Sequence, residues 1–293
     1  MTTARNRAEA ALFLVTAGGY ELRLLVAVAT LRLLYSGPTT IYTTRPESDT
    51  LGERLADEPR LGLRASQYPE IAAGRNSAYL TKLSLLSCVP YDAAAVLDAD
   101  TLIVGDISAL FELSDEAPFV ATQFANWRTN QPPVLNRLER WRTLEQRHFP
   151  LEYINSLVDT AQADRPAVNG GVFAFRAGAP ILRPWYELAA VGWETFIPDE
   201  IALQLLLPHY PHRLLDCRYN CSPVHAADTE DVRIWHFHGS RHLETRFARS
   251  LWLPAFRECW DQNLAGVQAW AAEVSDPAEW AVIERYLATG SLD

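Results

Sequence analysis

The sequence has very little lysine, since Lys82 is the only one among its 26 basic residues. We attribute this bias mainly to the base composition of the gene, so the many arginines carry little functional information. A positive net charge is also missing, because the formal charge is −10 at pH 7. Nucleic-acid binding requires a clustered basic face. The arginines here are scattered, so we expect no nucleic-acid partner.

Long hydrophobic runs are absent as well. The first apolar run covers only residues 10–17, which predicts a buried strand rather than a signal peptide. No run reaches the length of a membrane span. Internal repeats and low-complexity linkers are also missing. These features predict an ordinary globular chain without a membrane-spanning segment.

Cysteine is scarce. The four cysteines are Cys88, Cys217, Cys221 and Cys259. In a chain without an export signal they predict reduced thiols and a cytoplasmic location. A zinc site at Cys217 and Cys221 is an alternative, because three histidines are near them in the sequence, namely His212, His225 and His238. Their spacing fits no standard zinc finger or ribbon.

Hydrophobic residues, by contrast, are plentiful. They make up 48% of the 293 residues and include nine tryptophans, which predicts a packed core rather than a disordered chain. The length would allow two domains, but a single α/β domain of this size is common.

Strand-like and helix-like segments alternate along the chain. Short apolar runs bounded by turn residues occur at 12–16, 39–43, 94–104, 119–122, 171–175, 213–215 and 232–237. Helical periodicity occurs at 19–35, 78–88, 180–191 and 199–207. This alternation predicts an α/β fold with a mainly parallel sheet. Ligands of such sheets bind at the carboxyl ends of the strands.

Two segments depart from this alternation. Residues 126–166 contain two adjacent prolines and then apolar residues at roughly helical spacing. They predict either a lid on the acceptor side of the site or an amphipathic helix pair that completes the core. Residues 246–293 are rich in tryptophan and helical in pattern. We expect them to form a helical tail packed on a catalytic domain of residues 8–245.

Asp98 and Asp100 are candidate metal ligands, because they come at the end of a short apolar run, where a buried strand ends and where ligands of such a sheet bind. Two carboxylates at i and i+2 of a strand point to the same face, which is unfavourable unless a cation lies between them. A polar strand exit in which one aspartate caps the next element is the alternative. The pair also faintly resembles the Asp-x-Asp-Gly-Thr motif of haloacid dehalogenase-type phosphatases. It lacks that glycine and lies far from the start of the chain.

Four further segments accompany this pair: AYLTKLSLL at 78–86, VNGGVFAFR at 168–176, IPDEIALQ at 197–204 and IWHFHGSRH at 234–242. In order and spacing the set resembles the retaining GT-A glycosyltransferases related to glycogenin and the bacterial lipopolysaccharide galactosyltransferases, which form glycosyltransferase family 8. The resemblance covers about residues 12–242. It implies a GT-A fold, with a Rossmann-like, mainly parallel sheet flanked by helices and a C-terminal helical extension.

The resemblance implies a Mn²⁺ or Mg²⁺ site at Asp98, Asp100 and His236, where the ion bridges the phosphates of a nucleotide-sugar donor. Oxygen ligands suit both ions, and an imidazole favours Mn²⁺. A lone strand histidine is more often structural, so His236 depends on the motif. Lys82 is the candidate cation that helps to stabilise the leaving diphosphate. A solvated helix lysine is the alternative.

The remaining donor-binding positions also come from the resemblance. Tyr20 matches a tyrosine that stacks on uracil, and Asn169 matches an asparagine that contacts the donor hexose. The other expected donor-binding residues are Ala99, Gly170, Gly171, Asn220, Gly239 and His242. A plain turn before a strand is the alternative for the Asn-Gly-Gly segment. His242 stands where the family has a second lysine, so diphosphate binding at that end departs from the family pattern.

Asp199 and Glu200 match a family Asp-Gln pair that faces the anomeric carbon of the donor. Glu200 replaces the glutamine and could stabilise an oxocarbenium-like centre or attack it. As residues at a helix start, both acids could instead serve only as caps. With Lys82 they are the predicted catalytic residues.

The sequence thus predicts a retaining, metal-dependent glycosyltransferase that moves a hexose from a nucleotide diphosphate sugar, with UDP favoured, to a hydroxyl acceptor. A nucleotide-sugar-binding protein of the same fold without turnover is the alternative, because the second lysine and the glutamine are both replaced.

Overall fold

The computed structural model describes residues 9–15, 19–44, 46–71, 77–123, 149–162, 167–192 and 198–293. The described strands are β1 (Glu9–Val15), β2 (Thr39–Thr43), β3 (Arg64–Gln67), β4 (Ala93–Leu97), β5 (Thr101–Ile103), β6 (Phe119–Gln123), β7 (Val168–Arg176), β8 (Arg213–Leu215) and β9 (Ile234–His236). The described α-helices are α1 (Glu21–Leu34), α2 (Pro46–Ala56), α3 (Ser77–Leu86), α4 (Ser108–Glu116), α5 (Leu151–Gln162), α6 (Leu182–Val191), α7 (Pro198–Leu206), α8 (Arg246–Asp261), α9 (Val267–Val274) and α10 (Pro277–Thr289). The expected lid at 126–166 lies outside the described residues, apart from 149–162.

Seven of these strands form a sheet in the order β3-β2-β1-β4-β7-β6-β8, and β5 pairs with β9 in a separate ribbon. β2 lies parallel to both β1 and β3, and β6 lies parallel to β8. β6 and β7 are antiparallel. The predicted α/β class with a mainly parallel sheet is therefore confirmed.

The chain divides into two compact units, each assembled from separate segments. As far as it is described, the first unit takes residues up to Ala10 and residues 69–96 and 108–217. Its core contains an aromatic group in which Phe173 stacks on Phe119 at 5.6 Å and meets Trp185 edge to face at 5.3 Å. Because β7 supplies Phe173 and α6 supplies Trp185, this group fixes the helix against the strand.

The second unit takes residues 11–68, 97–107 and 218–293. α1 is buried along most of its length, because its sequence ELRLLVAVATLRLL is apolar on nearly every face. It packs against β5 and against α8 of the C-terminal segment. In α8, Trp252 and Phe256 stack with their ring centroids 5.2 Å apart. The residues predicted as a helical tail are therefore helical and pack within this unit.

None of the described helices combines the length and the apolar character needed to cross a bilayer. The longest of the apolar ones, α1, has 14 residues, and a span requires about 20.

Candidate functional site

The candidate metal ligands Asp98 and Asp100 lie in a turn rather than on a strand. They follow the carboxyl end of a buried strand, as predicted, since β4 ends at Leu97. The apolar run at 94–104 is not one strand, however, because β5 begins at Thr101. Thr101 closes the turn, because its N–H and its hydroxyl both donate to the carbonyl of Asp98, at 3.2 and 2.8 Å. Aspartate favours such turns over strand interiors.

His236 reaches this turn through the ribbon of β5 and β9. The two strands are antiparallel, and Thr101 lies opposite His236. Beyond the end of β9, the N–H of Phe237 donates to the carbonyl of Asp100 at 3.0 Å. This register places an imidazole from late in the chain beside the two carboxylates.

The three side chains form a group that could hold a divalent ion. His236 Nε2 lies 3.3 Å from Asp100 Oδ1 and 3.8 Å from Asp98 Oδ2. One ligand atom from each residue falls within 4.8 Å of the other two. Asp100 and His236 are buried, and Asp98 is partly exposed, so the group is open on one side. Two carboxylates and an imidazole are a donor set that fits Mn²⁺ or Mg²⁺.

The surroundings of Asp100 keep its carboxylate charged. Burial raises the pKa of Asp100, but the neighbouring His236 and the N–H of Gly239, which donates to Oδ2, outweigh burial and hold that pKa well below its usual value. Gly239 adopts a φ of +86°, a backbone conformation that residues with a side chain rarely adopt. A charged carboxylate is the form that binds a cation.

Asn220 contacts His236 at the ring nitrogen that does not face the two carboxylates. The N–H of Cys221 donates to the carbonyl of Ile234 at 3.0 Å, and this backbone contact places the preceding residue, Asn220, beside β9. Asn220 Oδ1 lies 2.8 Å from His236 Nδ1. Because an amide oxygen can only accept, Nδ1 carries a proton, and Nε2 is the nitrogen that faces the carboxylates and that would give its lone pair to a bound cation.

We expect Asn220→Ala to weaken Mn²⁺ binding by about 10- to 100-fold, the usual effect of removing a partner that orients a metal-binding histidine. Isothermal titration of MnCl₂ into the metal-free protein measures this change. Asn155→Ala is the control, because Asn155 lies on α5 and in the first unit. Equal Mn²⁺ affinity in the Asn220 variant and the wild type would show that Asn220 does not orient His236 for metal binding.

Tyr20 lies beside the candidate metal-binding group, in the same unit. Its hydroxyl is 3.9 Å from the position that a Cβ would take at Gly239. Burial, and then the charges of Asp100 and Asp98, raise the pKa of Tyr20 to about 12. The phenol is therefore neutral at physiological pH.

The expected sugar-binding residues come together in the first unit. Lys82 is buried on α3, and its Nζ donates to the carbonyl of Gly170 at 2.7 Å. Asn169 Nδ2 donates to Glu200 Oε2 at 2.9 Å, and the N–H of Gly171 donates to Asn169 Oδ1 at 2.7 Å. Lys82 is thus not a solvated helix lysine, and Asn169 connects β7 to α7.

Asp199 and Glu200 occupy the first turn of α7. The indole N–H of Trp185 donates to the carbonyl of Asp199 at 2.7 Å. A Cβ at Gly170 would lie only 3.3 Å from Asp199 Oδ2, so the absence of a side chain there lets Asp199 approach the strand closely. Both acids are placed where the helix dipole favours them, which is compatible with either a capping role or a site role.

His242 is a buried side chain and not a surface cation. It is completely buried, and Arg23 Nε donates to its Nδ1 at 3.1 Å. Its Nε2 lies 2.9 Å from Glu279 Oε1, although the two are not aligned as a hydrogen bond. Burial lowers the pKa of His242, so its ring is neutral. Ala99, also an expected donor-binding residue, is buried in the turn between Asp98 and Asp100.

Two residues near the site were given no role in it from the sequence. The ring of His238 lies against that of His236, with centroids 4.0 Å apart. The guanidinium of Arg23 lies over the ring of Tyr20, with its central carbon 5.1 Å from the ring centroid. His238 belongs to the IWHFHGSRH segment and Arg23 belongs to no motif, so only the fold shows their proximity to the candidate metal ligands.

The alternative zinc site does not form among the residues that the structure describes. Asp98, Asp100 and His236 are the only three His, Cys, Asp or Glu side chains in those ranges that converge closely enough to hold an ion. The thiol of Cys221 instead contacts the carbonyl of Ala226 at 3.6 Å.

Solved structures share this fold. The chain is similar to the WbbM bifunctional glycosyltransferase, with a TM-score of 0.56 and 11% identity over 87% of this chain and 50% of that one. It thus spans about half the length of that protein. Galactosyltransferase LgtC, solved with donor and acceptor sugar analogues, gives a TM-score of 0.56 and 14% identity over 94% of this chain and 99% of LgtC. Mouse xyloside xylosyltransferase 1 gives 0.53 and 13% identity over 80% of this chain and 98% of its own.

At such low identities, the structural similarity establishes a common fold and no more. It confirms the predicted GT-A architecture. No protein-family model matches the sequence, and neither does any curated protein.

Proposed function

We propose that this chain is a retaining, metal-dependent glycosyltransferase of the family 8 type. It would transfer a hexose from a nucleotide diphosphate sugar, with UDP favoured, to a hydroxyl acceptor. The convergence of Asp98, Asp100 and His236 within a GT-A fold carries this proposal. The similar structures are those of glycosyltransferases, and LgtC was solved with donor and acceptor sugar analogues, which supports the same reaction class. A cytoplasmic location is part of the proposal.

In this proposal, Asp98, Asp100 and His236 hold Mn²⁺ or Mg²⁺. A bound divalent cation would neutralise charge that develops on the departing nucleoside diphosphate. Asn220 keeps the Nε2 lone pair of His236 directed at the site. Gly239 holds Asp100 in place through its N–H. Tyr20 offers a neutral aromatic ring for stacking on the nucleobase.

The group around Asn169 is proposed to bind the donor hexose. Asn169 fixes Glu200 through the 2.9 Å hydrogen bond to its carboxylate, so this acid cannot rotate freely. A fixed carboxylate can accept hydroxyl hydrogen bonds from the sugar and stabilise positive charge at the anomeric carbon. Lys82 is the proposed cation for the diphosphate. Retention would follow from attack by the acceptor hydroxyl on the face that the diphosphate leaves, with a phosphate oxygen taking its proton.

A thermal-shift panel tests this proposal. With MnCl₂ and a nucleotide sugar at about 100 times its Kd, binding should raise the Tm by about 5–10 °C. UDP-glucose, UDP-galactose, UDP-N-acetylglucosamine, GDP-mannose and ADP-glucose, each with and without MnCl₂, cover the common bases and sugars. We expect a UDP-sugar to give the largest shift, and only with the metal. A panel without any metal-dependent shift would contradict the proposal.

Product analysis separates the alternatives. Release of nucleoside diphosphate with the anomeric configuration kept in the product would support the transferase. Binding without turnover against a broad acceptor set would favour the non-catalytic protein. Hydrolysis of p-nitrophenyl phosphate, which a glycosyltransferase does not perform, would favour the phosphatase.

A further inference from the structure

A largely buried group of polar side chains joins the C-terminal helix α10 to the start of α1. Arg23, on the first turn of α1, donates through its terminal nitrogen NH2 to both carboxylate oxygens of Glu279 on α10, at 3.1 and 3.4 Å. Its Nε donates to His242, and its other terminal nitrogen, NH1, donates to the carbonyl of Gly19 at 2.6 Å. The Arg23 side chain is 6% exposed. All three donor nitrogens of the guanidinium are therefore used within the protein.

This group has a direct link to the candidate donor site. The guanidinium of Arg23 lies over the ring of Tyr20 at 5.1 Å, within the range of a cation–π contact. Its bond to the Gly19 carbonyl fixes the backbone immediately before that tyrosine. The hydroxyl of Tyr20 lies near Gly239, whose N–H holds Asp100. A series of contacts thus runs from Glu279 through Arg23 to Tyr20, whose hydroxyl lies near the residue that donates to Asp100.

We propose that Glu279 and Arg23 are a positioning pair for Tyr20, so that helix α10 completes the nucleotide-binding part of the site. The inference rests on the proposed function, because it assigns Tyr20 to the donor. Neither residue touches the donor in this arrangement. Arg23 acts through Tyr20, and Glu279 acts through Arg23.

The chemistry of the group favours positioning over phosphate binding. A guanidinium that recognised a phosphate would need free donors, and those of Arg23 are directed at Glu279, His242 and Gly19. His242 is neutral, so it adds no positive charge of its own. Its Nδ1 accepts from Arg23, which fixes the plane of the guanidinium. The group therefore fixes the position of the guanidinium and does not offer a positive charge to a phosphate.

A cavity beside the pair offers a way to test this role. Arg23 and Glu279 both line a cavity of about 540 Å³, together with residues from the two ends of the α9–α10 connection. Its volume exceeds that of a small carboxylate many times over. If Glu279 is shortened to alanine, acetate can enter through the cavity and pair with Arg23 in its place.

The first experiment compares Glu279→Ala with Glu284→Ala, an exposed acid on the same helix. Isothermal titration of UDP with saturating MnCl₂ measures nucleotide affinity, and titration of MnCl₂ alone measures metal affinity. We expect Glu279→Ala to weaken UDP binding about tenfold, as the loss of an orienting partner does, and to leave Mn²⁺ affinity within twofold. Glu284→Ala should match the wild type in both titrations.

Acetate then separates positioning from general instability. Added acetate should restore most of the UDP affinity of Glu279→Ala, with no effect on the wild type or on Glu284→Ala. If Glu279→Ala does not fold, Glu279→Gln keeps the volume and removes the charge, and we expect it to weaken UDP binding at least threefold. Unchanged UDP affinity in the folded variant, or loss without rescue, would overturn the inference. Failure of the wild type to bind UDP, GDP, ADP, CDP or dTDP with Mn²⁺ would instead overturn the proposed function.

Discussion

Asp100→Asn should abolish Mn²⁺-dependent glycosyl transfer, with a loss of about a thousandfold or more in turnover. Asp100 has both carboxylate oxygens engaged in the site, one near His236 Nε2 and the other accepting from Gly239. Asparagine keeps the shape but removes the charge and replaces one oxygen with an amide nitrogen, which cannot bind a cation. Donor hydrolysis and transfer, measured over a MnCl₂ series, give the result.

The matched control is Asp57→Asn, the same change at an exposed position in the same unit. It should leave turnover and Mn²⁺ dependence unchanged. Circular dichroism should show that both variants keep the wild-type fold, because the amide occupies nearly the same volume as the carboxylate. Wild-type turnover in the folded Asp100→Asn protein would refute the metal-dependent mechanism.

Lys82→Met should lower kcat/KM for the nucleotide-sugar donor by about a hundredfold. The ammonium is held by the Gly170 carbonyl at 2.7 Å and lies 5.9 Å from the centroid of the Phe173 ring. Methionine fills the same buried space without the charge, so packing against Phe173 persists. The unpaired carbonyl costs about 1 kcal/mol of stability. Steady-state kinetics with a range of donor concentrations, together with urea unfolding, separates the two effects.

Because the chain has no second lysine, the control for this change is Arg183→Met on α6, an exposed cation in the same unit. It should change neither kinetics nor stability by a measurable amount. A Lys82→Met protein with full activity and reduced stability would make Lys82 a structural residue. The catalytic assignment would then rest on Asp199 and Glu200 alone.

The α/β class was predictable because local periodicity records which faces of helices and strands are buried. The break in the strand between Leu97 and Thr101 was not predictable from that periodicity. It depends on hydrogen bonds from Thr101 to Asp98, and the apolar pattern continues across it. The extra strand β3 carries four exposed residues and no apolar alternation, so its pairing with β2 is a tertiary effect.

The candidate metal-binding group was predictable only through a motif. Asp98 and Asp100 are close in the sequence, whereas His236 joins them through the pairing of β5 with β9. No local pattern specifies that pairing. The environment of His242 shows the same limit, since its polar contacts come from Arg23 and Glu279 on distant helices. Long-range contacts leave no periodic trace in a sequence.

The ribbon of β5 and β9 has only three residues on each side, too few to persist without support. Its support comes partly from α1, where the hydroxyl of Thr30 accepts from the N–H of Ile103 at 3.2 Å. An ion that joins Asp98 and Asp100 to His236 would bind the closed ribbon and not the opened one. Ion binding would therefore disfavour opening of the ribbon. Removal of the ion would lower the free energy of opening β5 from β9 before the rest of the chain unfolds.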